Sequence, residues 1–408
     1  LVPDLSAAEN IFLNRLAQGL FINWKLINRE AKNWLAQLGV ELNPNLKVKT
    51  LSVAYQQIVE ICKAISENSR VLILDEPTAV LASREGERLF EILKGLRRQG
   101  VSIIYVSHHL EEVFQIADRI TVLRDGAKVG TVKAEEADEA TIVRMMIGRS
   151  LGEMYPVRTG TVTGKEALRV VELSRGRRVK KVSFSVRSGE IVGLTGLVGS
   201  GRTETVRTLF GADKKESGRI FLGGQELAIS SPADSVRFGL GLLPEDRKNQ
   251  GVLLGMSVTV NTTLSSLNQV SKAGWINERV ETALVKRLVN LLGVKVRRFE
   301  DKVSDLSGGN QQKVVLARCL ASECKVIILD EPTRGVDVGA KVEIYQLIDE
   351  LARKGVGILV VSSDLPEVAG LADRILVMRD GAVVGELTGA GKNEENILRL
   401  ALGKKRNG

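Results

Sequence analysis

The apolar positions of this chain fall in short bursts. Residues 71–74, 102–106, 326–329 and 357–361 are strand-length runs, largely aliphatic and bounded by polar residues. Such runs predict strands covered on both faces, as in a parallel sheet. The runs at 71 and 326 each end on an acid, so a buried strand would deliver a carboxylate at its C-terminal edge. Residues 84–97, 311–321 and 340–353 instead space their apolar side chains with a helical period. Residues 190–195 read as a strand entering a glycine-rich turn, and 256–305 as a separate helical subdomain, charged and without a strand signal. Alternation of strands and helices predicts an α/β fold with a parallel sheet.

The pattern occurs twice. VLILDEPT at 71–78 and VIILDEPT at 326–333 lie 255 positions apart, as do LSVAYQQ at 51–57 and LSGGNQQ at 306–312. The same offset relates YVSH at 105–108 to VVSS at 360–363, ADRI at 117–120 to 372–375, and RDG at 124–126 to 379–381. Five matches at one offset without a gap predict two copies of one domain. The division expected is a first copy at 1–149, a linker at 150–166 and a second copy at 167–408. The first copy is the shorter, and its deficit lies at the front: roughly ninety residues are expected to belong ahead of Leu1.

Composition narrows the class. At 408 residues, 44% hydrophobic and 26% charged, the chain reads as two or three folded globular domains. No apolar run approaches the ~18 residues of a membrane span, so membrane work would fall to a partner. Three cysteines without CxxC spacing and two adjacent histidines exclude a disulfide scaffold, an ordinary zinc site and chemistry built on several histidines. Net charge is +9, but the basic runs at 175–181, 295–298 and 404–406 are scattered, and aromatics total only 4%. They read as solvated loops or contacts to an anionic surface before they read as a nucleic-acid face.

Three motifs carry chemistry. GLVGSGRT at 196–203 follows a strand, precedes a helix, and matches the phosphate-binding pattern GxxxxGK[ST] except that Arg202 stands for Lys. Gly196, Gly199 and Gly201 would let backbone N–H groups wrap a phosphate beside Ser200 and Arg202, with Thr203 placed for Mg²⁺. Arg is longer and planar, so it would not put its charge where Lys does. Asp75 and Asp330 suit Mg²⁺; Glu76 and Glu331, next in sequence, could each orient and activate a water. Ser307, Gly308, Gly309 and Asn310 precede the helical run 311–321, and Ser307 with the two glycines at its start would offer free N–H groups to an anion.

These motifs, in this order and twice over, resemble ABC-type ATPases. LSGGNQQK, DEPTRGVDVGAK and GRTE resemble one branch closely, the ATPase subunits of bacterial monosaccharide importers of the ribose/galactose/xylose type. The resemblance implies P-loop NTPase cassettes, each a RecA-like core plus a helical subdomain, in two tandem copies of which the first is incomplete. It implies ATP and Mg²⁺ as cofactors and two composite sites from head-to-tail pairing. One site would join Asp75, Glu76 and the switch histidine His108 to Ser307, Gly308, Gly309 and Asn310, its P-loop lying ahead of Leu1. The other would join residues 196–203 to the degraded signature at 51–55, with Ser363 in place of the switch histidine and Glu245 where Gln is expected. That second site is expected to bind nucleotide without useful turnover although Asp330 and Glu331 survive.

The resemblance also implies partners. Membrane permease subunits would dock on roughly 1–12 and 244–260, and a periplasmic or extracellular sugar-binding protein would act indirectly. No sugar and no nucleic acid would touch this subunit, which would sit peripherally at the cytoplasmic face of the cell membrane. The full-length protein would be a transporter ATPase; this chain alone is expected to be inactive. Two competing classes are a soluble tandem-cassette factor acting on ribosomes or nucleic acid, and a non-catalytic remnant. The first usually has two good signatures and a long charged linker, and this sequence has neither.

Overall fold

Each aliphatic run forms a strand in the computed structural model of the chain. The structure describes all residues except 17–21, 68, 79–80, 82, 108, 125, 148–153, 157, 159–161, 163 and 404–408, and omits the side chains of 83–85 and 147. The chain divides into two units, Leu1–Met146 and Ile147–Gly408.

The first unit opens with helices α1 (Ala7–Ile11), α2 (Trp24–Gln37) and α3 (Val53–Ser66). Strand β1 (Val71–Asp75), helix α4 (Ser83–Arg98), strand β2 (Ser102–Val106) and helix α5 (Leu110–Ile116) follow. It closes on the hairpin β3 (Arg119–Arg124) and β4 (Ala127–Lys133) and helix α6 (Glu139–Ile147). Strands β1 and β2 pair in parallel, Val71 opposite Ser102 through Asp75 opposite Val106.

The second unit begins with β5 (Glu166–Arg175), β6 (Val179–Arg187), β7 (Ile191–Gly196), α7 (Arg202–Leu209), β8 (Ser217–Leu222) and β9 (Leu240–Leu243). Helix α8 (Val258–Thr263), the two-residue strands β10 (Ser271–Lys272) and β11 (Trp275–Ile276), and helix α9 (Glu278–Leu291) fill the region read as helical. The β10–β11 hairpin corrects that reading. Ala273 and Gly274 both hold positive φ, 52° and 84°, the geometry of a tight primed turn. The unit then runs through α10 (Gly308–Ala321), β12 (Val326–Asp330), α11 (Val338–Arg353), β13 (Gly357–Val361), α12 (Leu365–Leu371), β14 (Arg374–Arg379), β15 (Ala382–Thr388) and α13 (Glu394–Leu402).

Every element from α3 to α6 returns exact to the residue 255 positions later, as α10 to α13. The repeat also reaches the start of the chain at a changed offset. Asn10 and Asn261, both buried, make the same plug: each side-chain oxygen accepts from a backbone N–H eight residues earlier, Val2 at 2.7 Å and Leu253 at 2.8 Å. Each amide nitrogen donates back to that residue's carbonyl.

In the second unit six strands order as β9–β12–β13–β7–β14–β15, all parallel except the last pair. Alternate residues face two apolar layers. Val192, Val326, Ile328, Leu359 and Val361 meet β5, β6, β8 and α7; Ile327, Leu329, Ile358 and Val360 meet α10 and α11. Val285, Leu288 and Val289 of α9 belong to that second layer, so the helical region shares its core with the sheet. Met154, Tyr155 and Arg158, between the two repeats, pack within this unit too: Tyr155 stacks on Tyr345 at 5.2 Å between ring centroids. Arg158 pairs with Asp349 at 2.8 Å and Asp373 at 2.7 Å.

The first unit differs at one face. Val71, Ile73, Ile104 and Val106 are 51%, 66%, 51% and 46% exposed, whereas their counterparts Val326, Ile328, Leu359 and Val361 are all 0% exposed. Among the described residues no strand pairs between β2 and β3, the place β7 takes between β13 and β14.

Candidate functional site

The site of the second unit grows from β7, which ends on Gly196 and turns into α7 through residues 197–201. Gly201 caps the helix with φ 98°, and a Cβ there would stand 2.2 Å from the Arg178 carbonyl oxygen. Only glycine fits that backbone and that approach. Gly381 N–H donates to the Ser200 carbonyl at 2.9 Å, and Lys180 N–H to the Gly381 carbonyl at 2.7 Å, so two neighbouring segments brace the loop. Inside it two polar atoms are buried without a hydrogen-bond partner, the Ser200 hydroxyl and Nη1 of Arg202. Orphaned buried donors are costly, and an anion is what this cradle fits.

Strand β12 brings Asp330 against the loop: Thr203 Oγ1 donates to Asp330 Oδ1 at 3.5 Å. Burial pushes the Asp330 carboxyl up to about 7, with Glu245 and Glu331 adding like charge. Glu331 follows in left-handed backbone, φ 49°, as Glu76 does at φ 47° in the first unit. Such a conformation in a non-glycine residue costs free energy and gathers at functional sites. Oε1 of Glu331 accepts the Ser363 N–H at 2.8 Å and lies 3.5 Å from Arg202 Nη2, with both side chains deeply placed at 13% and 11% exposure. The Arg202 guanidinium is therefore drawn to the glutamate as well as to the loop. Glu245 is held by Arg334. Behind this edge Thr333 donates to Glu367 at 2.7 Å, as Thr78 does to Glu112 in the first unit.

Ser307 caps α10, and its neighbours are already engaged within the chain. Asn310 donates to Ser307 Oγ at 2.9 Å and accepts the Lys295 N–H at 2.8 Å. A Cβ on Gly308 would stand 2.4 Å from Arg247 Nη2, and one on Gly309 2.8 Å from the Ala340 methyl. These glycines have a packing reason beside any phosphate role. In the first unit the equivalent positions carry Val53 and Ala54 at the start of α3.

The structure thus brings Gly196, Gly199, Ser200, Gly201, Arg202, Thr203, Asp330 and Glu331 to one edge. Asp75 ends β1 and Glu76 follows it in the first unit. His108 lies outside the described residues. Sequence reasoning missed the Arg202–Glu331 pair and the two Thr–Glu pairs, although Thr78/Thr333 and Glu112/Glu367 keep the 255 offset.

The family model described as ABC transporter matches residues 1–79 and 179–334. The chain belongs to that family. Ribose import ATP-binding protein RbsA 3 of Rhizobium meliloti (strain 1021) is 49% identical over 403 residues, which cover 98% of this chain and 80% of the relative. Ribose import ATP-binding protein RbsA of Chelativorans sp. (strain BNC1) is 48% identical over 402 residues, covering 98% and 79%. A crystal structure of a nucleotide-free ATP-binding cassette from an ABC transporter matches with a TM-score of 0.50 and 26% identity, over 57% of this chain and 95% of that one. The P-loop α/β cassette fold expected from sequence is therefore shown, and the loop at 196–203 belongs to an ATP-binding family. No described helix is long and apolar enough to cross a membrane.

Proposed function

We propose that this chain energises import of a monosaccharide through separate membrane permease subunits, using two unequal nucleotide sites. The relatives' names support the transport class, since both are called ribose import ATP-binding proteins. A sugar-binding protein outside the membrane would act on the permease, and this subunit would sit at the membrane's cytoplasmic face without touching sugar.

The site on residues 196–203 is read as one that binds ATP and turns it over poorly. The Arg202–Glu331 pair carries that reading. Glu331 would have to accept a proton from the attacking water, but its Oε1 already takes the Ser363 N–H and faces a guanidinium. Losing general-base assistance typically costs about 10²–10⁴-fold. Arg202 keeps one buried N–H group for phosphate. Thr203 and Asp330 would hold Mg²⁺, which would supply positive charge to offset that of the phosphates. No cluster of three metal-binding side chains exists among the described residues, and Mg²⁺ is commonly held by one or two protein groups plus phosphates.

Turnover is assigned to the other site, where Asp75 would serve Mg²⁺, Glu76 and His108 would act at the γ-phosphate, and Ser307, Gly308, Gly309 and Asn310 would close over it. The sequence of residues 1–146 contains no GxxxxGK[ST] pattern. The chain by itself is therefore expected to bind ATP with negligible steady-state hydrolysis. Supplying ahead of Leu1 the P-loop portion of a relative's first cassette should create turnover that Glu76→Gln abolishes and Glu331→Gln spares. Robust hydrolysis by the chain alone, lost on Glu331→Gln, would sink this assignment.

A further inference from the structure

Within the basic run at 175–181, which the sequence reads as a solvated loop or an anionic-surface contact, Arg178 lies beside the phosphate loop with its side chain 62% exposed. The Arg178 carbonyl packs on Gly201 and Gly381, so the residue's backbone is fixed beside the cradle. Its guanidinium reaches over the loop: Nη1 lies 3.9 Å from where a Gly199 Cβ would be and 3.4 Å from Glu204 Oε1. Glu204 stands in the first turn of α7, one residue past Thr203. A carboxylate so close to a phosphate chain repels it, and Arg178 is the cation paired with it that offsets this. Arg202 and Thr203 face Glu331 and Asp330, where the terminal phosphate belongs. Arg178 meets the loop at Gly199 and Glu204 instead.

We infer that Arg178 is a ligand for the α-phosphate of nucleotide held by residues 196–203, and that Glu204 holds its guanidinium in place until nucleotide arrives. The inference rests on the reading of that loop as an ATP site. Arg suits the role: its planar fork of donors can leave a carboxylate for a phosphate without changing charge state. Because ATP and ADP share the α-phosphate, both should feel Arg178 equally.

The test is equilibrium binding of ATP and of ADP to the full chain by titration calorimetry, at fixed salt and Mg²⁺. Arg178→Ala should weaken both by a similar factor, about five- to tenfold for one lost charge-assisted contact. Glu204→Gln should tighten both. In the Glu204→Gln background, Arg178→Ala should still weaken binding, whereas a side chain that merely neutralises Glu204 would leave affinity unmoved there. Arg178→Lys, which keeps charge without the fork, should fall between. Unchanged affinity in Arg178→Ala, or a loss confined to ATP, would overturn the inference while leaving the ATP site intact. If the unsubstituted chain binds neither nucleotide, the reading of the loop itself fails, and this inference with it.

Discussion

Arg158 joins the inter-cassette segment to the second unit, and its removal has a calculable cost. The side chain is 13% exposed and makes four contacts: Asp349 at 2.8 Å, Asp373 at 3.1 and 2.7 Å, and the Gly189 carbonyl at 2.9 Å. Deleting one partner of a buried ion pair typically costs about 3–5 kcal/mol, because a charge is left behind in a poor solvent. Here both acids keep a second donor. Asp349 retains Arg353 at 2.7 Å and Asp373 retains the Ile191 N–H at 2.8 Å, which places Arg158→Ala near the lower end. A loss of about 3 kcal/mol lowers the melting temperature of a domain this size by roughly 6–12 °C. Differential scanning calorimetry of the chain should show that drop in the transition of the second unit alone. Arg158→Lys, which keeps the charge but not the fork, should recover part of it. A shift below about 2 °C would mean that the strap contributes nothing beyond an exposed pair, and the burial argument would be refuted.

Burial pushes the Glu367 carboxyl up to about 6, opposed by the hydroxyls of Ser362 and Thr333. Its folded value is raised, so its contribution is fully present below about 4.5 and is lost as pH climbs through about 6. Glu367→Gln should therefore flatten that window, shrinking the stability difference between pH 4.5 and pH 7 by about 2 kcal/mol in urea titrations; an unchanged pH profile would refute it. All three cysteines are buried, and Cys62 is pushed up to about 12 by burial alone. A thiol reagent at neutral pH should label none of them in the native chain and all three in denaturant; rapid native labelling would contradict the packing.

The sheet and its repeat were legible because buried parallel strands need unbroken aliphatic runs, and few sequences supply those by chance. Helix α10 begins three residues before its apolar period does, since Gly308, Gly309 and Asn310 carry no periodic signal. The asparagine plugs escaped because the offset falls from 255 to 254 between α10 and α9, and to 251 ahead of α9, where the β10–β11 hairpin lies. An Ala-Gly turn is a weaker hairpin signal than Asn-Gly, so β10 and β11 escaped as well. At the site, the P-loop and the Asp-Glu edges were readable from residue order. The Arg202–Glu331 pair was not, because a side chain's choice between two neighbours depends on distances that only the fold sets. Arg178 was hidden for the same reason: nothing in a run of cations says which one is pressed against the loop.

The half-bare sheet of the first unit bears on how the protein must be handled. Val71, Ile73, Ile104 and Val106 make an oily terrace on a two-stranded base, and such a terrace in water seeks any apolar cover. Dilution then becomes an experimental variable in its own right. At high concentration the cheapest cover is another molecule of the same kind, and a melt recorded there would report on the clump as much as on the fold. Calorimetry and titrations belong at the lowest workable concentration, with a dye that brightens on oily surfaces read alongside.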